Sequence, residues 1–144
     1  MELIIRPARR RDTNKFSDIY FSEFSKLDSG WTRSASRARI RQAITNYPYL
    51  CFAMELEGKI VGFVLAERLD FVKGKHIYLS DIAVCSKFQR RGFGEVALRH
   101  LFKIAKRRGY RSIYLNAAKR RKTLRFYKKL GFRQTRYVHM EKAL

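Results

Sequence analysis

From its first residues the chain alternates short apolar runs with segments whose apolar side chains recur every three or four positions. Leu3 to Pro7 reads as a strand. Asp12 is the expected N-cap of a helix in which Phe16, Ile19, Tyr20 and Phe24 share one face. Ser29-Gly30-Trp31 interrupts that helix. A second helix is expected over about 36–46, burying Ile40, Ala43 and Ile44 and ending before Pro48, which disfavours helical backbone at Tyr47. Strands follow over about 50–56 and 59–69, joined by a tight turn at Glu57-Gly58, and a further turn at Lys73-Gly74-Lys75 leads into a strand over 76–84. Next comes a helix over about 95–108 with the stripe Leu98, Leu101, Phe102 and Ala105, and Gly109 stands at its expected C′ position. A strand over 112–116, a helix over 119–130 and a last strand over 134–142 complete the pattern. The expectation is an α/β (α+β) fold. Its sheet is mixed and mostly antiparallel, of about six to seven strands, with helices on both faces.

At 144 residues, 46% of them hydrophobic, the chain suits a single domain over 1–144 with one core. No run approaches the roughly 18–20 apolar residues of a membrane span. The opening Met1-Glu2-Leu3-Ile4-Ile5-Arg6 lacks the order of a secretory signal, so a cytoplasmic protein with no membrane partner is expected. Cys51 and Cys85 lie in apolar runs without metal-ligand spacing to His76, His100 or His139, which reads as buried free thiols and no metal site.

Charge changes the picture more. The net charge is +21, and residues 85–144 hold 19 of the 33 basic side chains but only 2 of the 12 acidic ones. Such asymmetry attracts polyanions. It is compatible with a nucleic acid or ribosome nearby, an acidic protein substrate, an organism whose proteins are generally basic, or a merely solvated basic surface.

The most informative chemistry lies at Gln89-Arg90-Arg91-Gly92-Phe93-Gly94, between a strand and an amphipathic helix. The first amides of a helix have no intrahelical partner, and the macrodipole favours an anion there. Gly92 and Gly94 let backbone approach a ligand without a Cβ in the way. Arg90 and Arg91 add positive charge. This is how a phosphate is cradled.

Together with a second patch, Phe126-Tyr127-Lys128-Lys129-Leu130-Gly131-Phe132, this loop resembles the GNAT superfamily of N-acetyltransferases. The loop matches that family's Q/R-x-x-G-x-G/A pyrophosphate-binding motif, and the wording Phe88-Gln89-Arg90-Arg91-Gly92 is similar to that of ribosomal-protein N-terminal acetyltransferases. Ile82-Ala83-Val84 resembles the end of the family's fourth strand, Tyr127 the tyrosine of its late helix, and Val138 to Lys142 its last strand. The resemblance implies acetyl-CoA as co-substrate and an amine acceptor, with a protein or peptide amine favoured. An oligomer is compatible with it.

What the resemblance implies for residues is specific. Backbone groups of Ile82, Ala83 and Val84 would hold the pantetheine arm where the fourth and fifth strands splay. Gln89, Arg90, Arg91, Gly92, Phe93 and Gly94 would take the pyrophosphate, and Asn116 and Arg120 would lie at the cofactor. Tyr127 would be the general acid, since a phenol with a reference pKa near 10 is protonated at neutral pH and can donate to a thiolate. Asp81, Glu67 and a relayed water stay open as the base, and Asp81 could equally be a buried ion-pair partner in so basic a chain. The family's ribosomal subgroup places a glutamate where this chain has Asn116, which cannot act as a base. Arg120 and Thr123 likewise stand where the family often has Asn and Ala. A non-catalytic coenzyme A-binding module, or a basic module associated with nucleic acid, is the competing reading.

Overall fold

Apolar runs from separate stretches of the chain meet in one sheet. The computed structural model describes residues 2–144, which fall into a larger unit, Met1–Tyr114, and a smaller one, Leu115–Leu144. The larger unit holds β1 (Leu3–Pro7), α1 (Thr13–Phe24), α2 (Arg33–Asn46), β2 (Cys51–Leu56) and β3 (Lys59–Phe71). It continues through β4 (Gly74–Val84), α3 (Phe93–Arg107) and β5 (Ile113–Tyr114). The strands lie side by side in chain order, antiparallel from β1 to β4, with β5 parallel to β4.

This is the mixed, mostly antiparallel sheet expected, but with five strands rather than six or seven. The strand expected over 134–142 does not form, and the one expected over 112–116 shrinks to Ile113–Tyr114. Alternation of apolar residues supplies a face, whereas a strand also needs a ladder partner for its backbone.

Helices cover both faces. Cys51, Ala53, Phe63, Leu65 and Ala83 pack against Phe16, Ile19 and Tyr20 of α1 and Ile40 and Ile44 of α2. The period of two in a strand turns Phe52 to the other side, where its ring meets His100 of α3 edge-on at 5.3 Å. Ala97, Leu98, Leu101 and Ala105 are the buried stripe of α3, while Phe102 is only half-buried.

Two local details correct the expectations. Asp12 precedes α1 but makes no side-chain cap. Its carboxylate instead accepts two hydrogen bonds from Arg6, both 2.9 Å, and one from the Arg9 amide at 2.7 Å. Arg6 in turn donates to Glu55 at 2.6 Å, which ties β1 to β2 and to the start of α1. Burial pushes the Asp12 carboxyl up, but the Arg6 and Arg9 hydrogen bonds outweigh this and hold it below the usual carboxylate range. The cap that does form is Thr32, whose hydroxyl accepts from the Ala35 amide at 3.0 Å and starts α2 three residues earlier than expected.

In the smaller unit, α4 (Arg121–Lys129) ends where the Phe132 and Leu130 amides both donate to the Tyr127 carbonyl at 3.0 Å. The Tyr127 ring packs edge-on against Phe126 and Phe132, at 5.1 and 5.6 Å.

Candidate functional site

The β4 strand is bonded along one edge and open along most of the other. Its ladder with β3 runs from Gly74 to Val84, whereas its ladder with β5 consists of Ile77↔Ile113 and Tyr78↔Tyr114. From Leu79 onward, β4 has no β5 partner. The Cys85 amide donates to the Val61 carbonyl at 2.8 Å, so it faces β3. Two-residue alternation then gives Ala83 the same direction and turns the amides of Ile82 and Val84 to the open edge. Ile82, Ala83 and Val84 therefore sit where an extended ligand can add to the sheet, with two of the three presenting their amides to it.

Beyond that edge the chain turns through a 3₁₀ segment, Ser86–Phe88, into the glycine-containing loop. Glu23, near the end of α1, braces the turn. It accepts from the Ser86 hydroxyl at 2.8 Å and the Gln89 side-chain amide at 3.1 Å, and it pairs with Lys26 at 3.2 Å. The Gln89 side chain also donates to the Val84 carbonyl at 2.8 Å, while its backbone amide donates to Ser86 at 3.3 Å. Gln89 thus holds the loop to the end of β4, and its own amide is already engaged.

Arg90 and Gly92 both have left-handed backbone, at φ 65° and 80°. Kinks of this kind turn neighbouring amides into the concave nests that bind anions. Gly92 caps α3, and the first intrahelical bond is Val96 to the Gly92 carbonyl at 3.0 Å. The amides of Phe93 and Gly94 consequently have no intrahelical acceptor. A Cβ placed on Gly92 would meet no atom within 4 Å, so that side of the loop is open. Arg91 lies over the Phe88 ring at 5.3 Å, which holds its charge beside the amides.

Asp81 takes a direction the residue pattern left open. It faces the α1–α2 layer, where Arg39 of α2 donates to one carboxylate oxygen through two nitrogens, at 3.1 and 3.0 Å. Its side chain is 12% exposed. Burial raises the Asp81 pKa to about 6, with Arg39 and the Tyr20 phenol restraining the rise. Burial and the Asp81 charge push Tyr20 up to about 12, so its hydroxyl stays a donor. A carboxylate that ionises near 6 carries its charge at neutral pH and can still take a proton, as a general base must. Glu67, the other carboxylate considered, is half-buried on β3 opposite Tyr78.

A buried ion pair at Asp81 is one of the readings the sequence allows, but its partners Arg39 and Tyr20, and the Glu23 brace, could not be named from it. Arg39 sits beside the buried Ile40 on α2, and only the packed structure brings it to β4. In the smaller unit Asn116 lies 3.4 Å from His139, and Arg120 immediately precedes α4 without a side-chain cap. Among the described residues no three His, Cys, Asp or Glu side chains gather as a metal site, and both cysteines are free thiols. No helix among them is long and apolar enough to cross a membrane.

Comparison with known proteins follows the same lines. The profile of the acetyltransferase (GNAT) family matches residues 13–132. An uncharacterised N-acetyltransferase of Methanocaldococcus jannaschii, MJ1207, is 27% identical over 93% of the chain. A shorter match of 34% identity covers 42% of the chain and belongs to CgeE, an uncharacterised N-acetyltransferase of Bacillus subtilis. The chain spans 62% and 24% of the lengths of these two relatives. Among solved structures, a possible acetyltransferase from Clostridium difficile shares the fold at a TM-score of 0.85 and 12% identity, with 100% of this chain and 99% of that one covered. A ribosomal-protein-alanine N-acetyltransferase from Brucella melitensis does so at 0.79 and 16%, with both chains covered in full. An aminoglycoside acetyltransferase from an uncultured soil sample does so at 0.75 and 21%, covering 99% and 96%. With the braced loop, the open β4 edge and a profile spanning most of its length, the chain belongs to the GNAT acetyltransferase family.

Proposed function

We propose that this protein is an acetyl-CoA-dependent N-acetyltransferase in which the whole chain works as one domain. The observation that carries the reading is the continuity of two backbone features: the open edge at Ile82 to Val84 and the amide-lined loop ending at Gly92. Together they offer an extended arm and a diphosphate consecutive places along one stretch of chain. Acetyl-CoA supplies an activated acyl group as a thioester. The protein's part is to hold it, to take a proton from the incoming amine and to return one to the departing thiolate.

In this reading the Ile82 and Val84 amides hold the pantetheine arm, and Arg90 to Gly94 hold the diphosphate, with Gln89 as the brace. Asp81 is the base, since a group ionising near 6 is charged when an amine must lose its proton. Tyr127 is the acid, on its match to the family's tyrosine. Asn116 and Arg120 are assigned to the cofactor by their place along the chain and not by a residue match, since the family's ribosomal subgroup has a glutamate at the first position and the family often has Asn at the second. Attack of the amine nitrogen on the thioester carbon forms the amide and releases coenzyme A as its thiol. No acyl-enzyme is needed, because acceptor and donor react in one ternary complex.

The acceptor we favour is a primary amine of a protein or peptide. The loop wording Phe88 to Gly92 supports it, as does a net charge of +21, which repels polycationic small molecules. The fold does not choose, because structural neighbours named for a ribosomal protein and for an aminoglycoside share it. Thiol release from acetyl-CoA, measured across peptide N-termini, free lysine, polyamines and aminoglycosides, tests both levels. Release with peptides above all other amines is expected. Tight acetyl-CoA binding without release on any amine would leave a binding module instead.

A further inference from the structure

We propose that the end of the larger unit opposite the glycine-containing loop is a binding face for single-stranded nucleic acid. This goes beyond the acetyltransferase reading and does not depend on it. The 15 residues of α3 separate the two ends by about 22 Å.

Six basic residues meet at that end: Lys73 and Lys75 from the β3–β4 turn, Lys106, Arg107 and Arg108 from the end of α3, and Arg111 beyond it. Their proximity is fixed by backbone. The Arg111 amide donates to the Lys75 carbonyl at 2.9 Å, and the Arg111 side chain lies against Gly74. None of the six takes part in an ion pair among the described residues; the neighbouring acid, Asp70, is engaged by Arg68 at 2.8 Å. Cations at a helix C-terminus complement its dipole, which accounts for those in the last turn of α3. It does not account for Lys73, Lys75 or Arg111, which lie off the helix.

Uncompensated cations crowded together repel one another unless a polyanion covers them. The support beneath them is stiff. His76 is buried, its Nε2 donating to the Val72 carbonyl at 2.7 Å and its Nδ1 hydrogen-bonded to the Ser112 hydroxyl at 2.6 Å, so the hairpin is pinned to the start of β5.

The aromatics at this end decide between anions. Tyr49 and Phe71 are each 50% exposed, the Tyr49 carbonyl accepts from Arg108 at 3.0 Å, and Lys75 lies over the Tyr110 ring at 4.5 Å. Exposed rings among cations are stacking platforms for unpaired bases, whose phosphates reach the neighbouring charges. An acidic peptide has no flat group to match them, and a duplex keeps its bases stacked inside.

The experiment is fluorescence anisotropy with a labelled mixed-sequence single-stranded RNA 12-mer, over a range of salt. Wild type should bind at low salt, with log affinity falling linearly against log salt at about 0.7 per phosphate contacted. The variant K106Q/R107Q/R111Q should lose at least tenfold in affinity and flatten the slope by about 2. A matched control, K15Q/R37Q/R41Q on the exposed surfaces of α1 and α2, should lose less than threefold. Tyr49→Ala and Phe71→Ala, made separately and checked by thermal unfolding, should each weaken the single strand but not an RNA duplex. Equal losses in the two triple variants would overturn the proposal in favour of a diffuse field. So would aromatic variants without effect, a duplex bound as tightly as the single strand, or polyglutamate of matched charge bound as tightly as RNA.

Discussion

Gly92 and Gly58 form a natural matched pair for testing the proposed coenzyme A loop. Both have left-handed backbone, at φ 80° and 76°, and a Cβ on either would meet no atom within 4 Å. Gly58 closes the β2–β3 hairpin, remote from any assigned role, whereas Gly92 caps α3. Replacing either by Ala imposes the same penalty, because a Cβ in the left-handed region costs about 1–2 kcal/mol. For a chain of this size a loss of 1 kcal/mol lowers Tm by about 3 °C, and the two variants should fall together. Their binding should separate. At Gly92 the added methyl either stands where a phosphate must approach the amides, or drives the residue to negative φ and turns the Phe93 amide away. Losing one charge-assisted hydrogen bond costs about 1.5–3 kcal/mol, so calorimetric affinity for acetyl-CoA should drop at least tenfold in Gly92→Ala and stay unchanged in Gly58→Ala. Equal affinities in two equally destabilised proteins would refute the placement of the diphosphate.

Tyr127→Phe should keep the ring packing against Phe126 and Phe132 and the KM for acetyl-CoA, while turnover falls about 10²-fold or more; near wild-type turnover with chemistry rate-limiting would make the residue a packing group. Asp81 protonates as pH falls through about 6, so kcat/KM should decline about tenfold per unit below that value, and Asp81→Asn should be slow and lack this limb. A limb persisting in that variant would move the base elsewhere. Asp12 has a depressed pKa, so its contribution is present above the ordinary carboxylate value near 4 and is lost on acidification below it. Asp12→Asn, which leaves Arg6 only Glu55 as a charge partner, should lower stability at pH 7 by about 1.5–3 kcal/mol in urea unfolding, and the gap to wild type should close toward pH 2.

What the sequence made legible is what local rules govern. The α1, α2 and α3 stripes, the Glu57-Gly58 turn and the strand–loop–helix around Gly92 follow from spacing and glycine, and all are present. Long-range partnership was not legible. Asp12 looked like a cap because it precedes a helix, yet Arg6 from the neighbouring strand claims its carboxylate. Residues 134–142 alternate like a strand, but alternation cannot supply a ladder. Gln89 is expected to offer its amide to a ligand, and the 3₁₀ turn before it, which Glu23 also contacts, takes that amide first.

The direction of Asp81 has a single physical origin. Leu79 of β4 pairs with Ala66, but Asp81 pairs with Leu65, so Ser80 is an extra residue and the strand carries a bulge there. Regular alternation from the buried Ile77 and Leu79 would place Asp81 on their face of the sheet, the one away from α1 and α2. A one-residue insertion reverses every side chain that follows, and Asp81 instead joins Leu65 and Ala83 on the α1–α2 side, within reach of Arg39 and Tyr20. The same bulge falls just beyond the last β4–β5 pair, Tyr78↔Tyr114. One irregularity therefore lies where the sheet opens and also sets the side chain whose pKa burial raises. In the proposed mechanism both consequences are used: an edge free to accept an extended ligand, and beside it a carboxylate whose pKa burial raises to about 6. Deleting Ser80 is the corresponding perturbation. It would join Leu79 directly to Asp81 in an unbroken ladder with Ala66 and Leu65, so both halves of the strand keep their faces and Asp81 keeps Arg39, while the bulge at the opening of the sheet is lost.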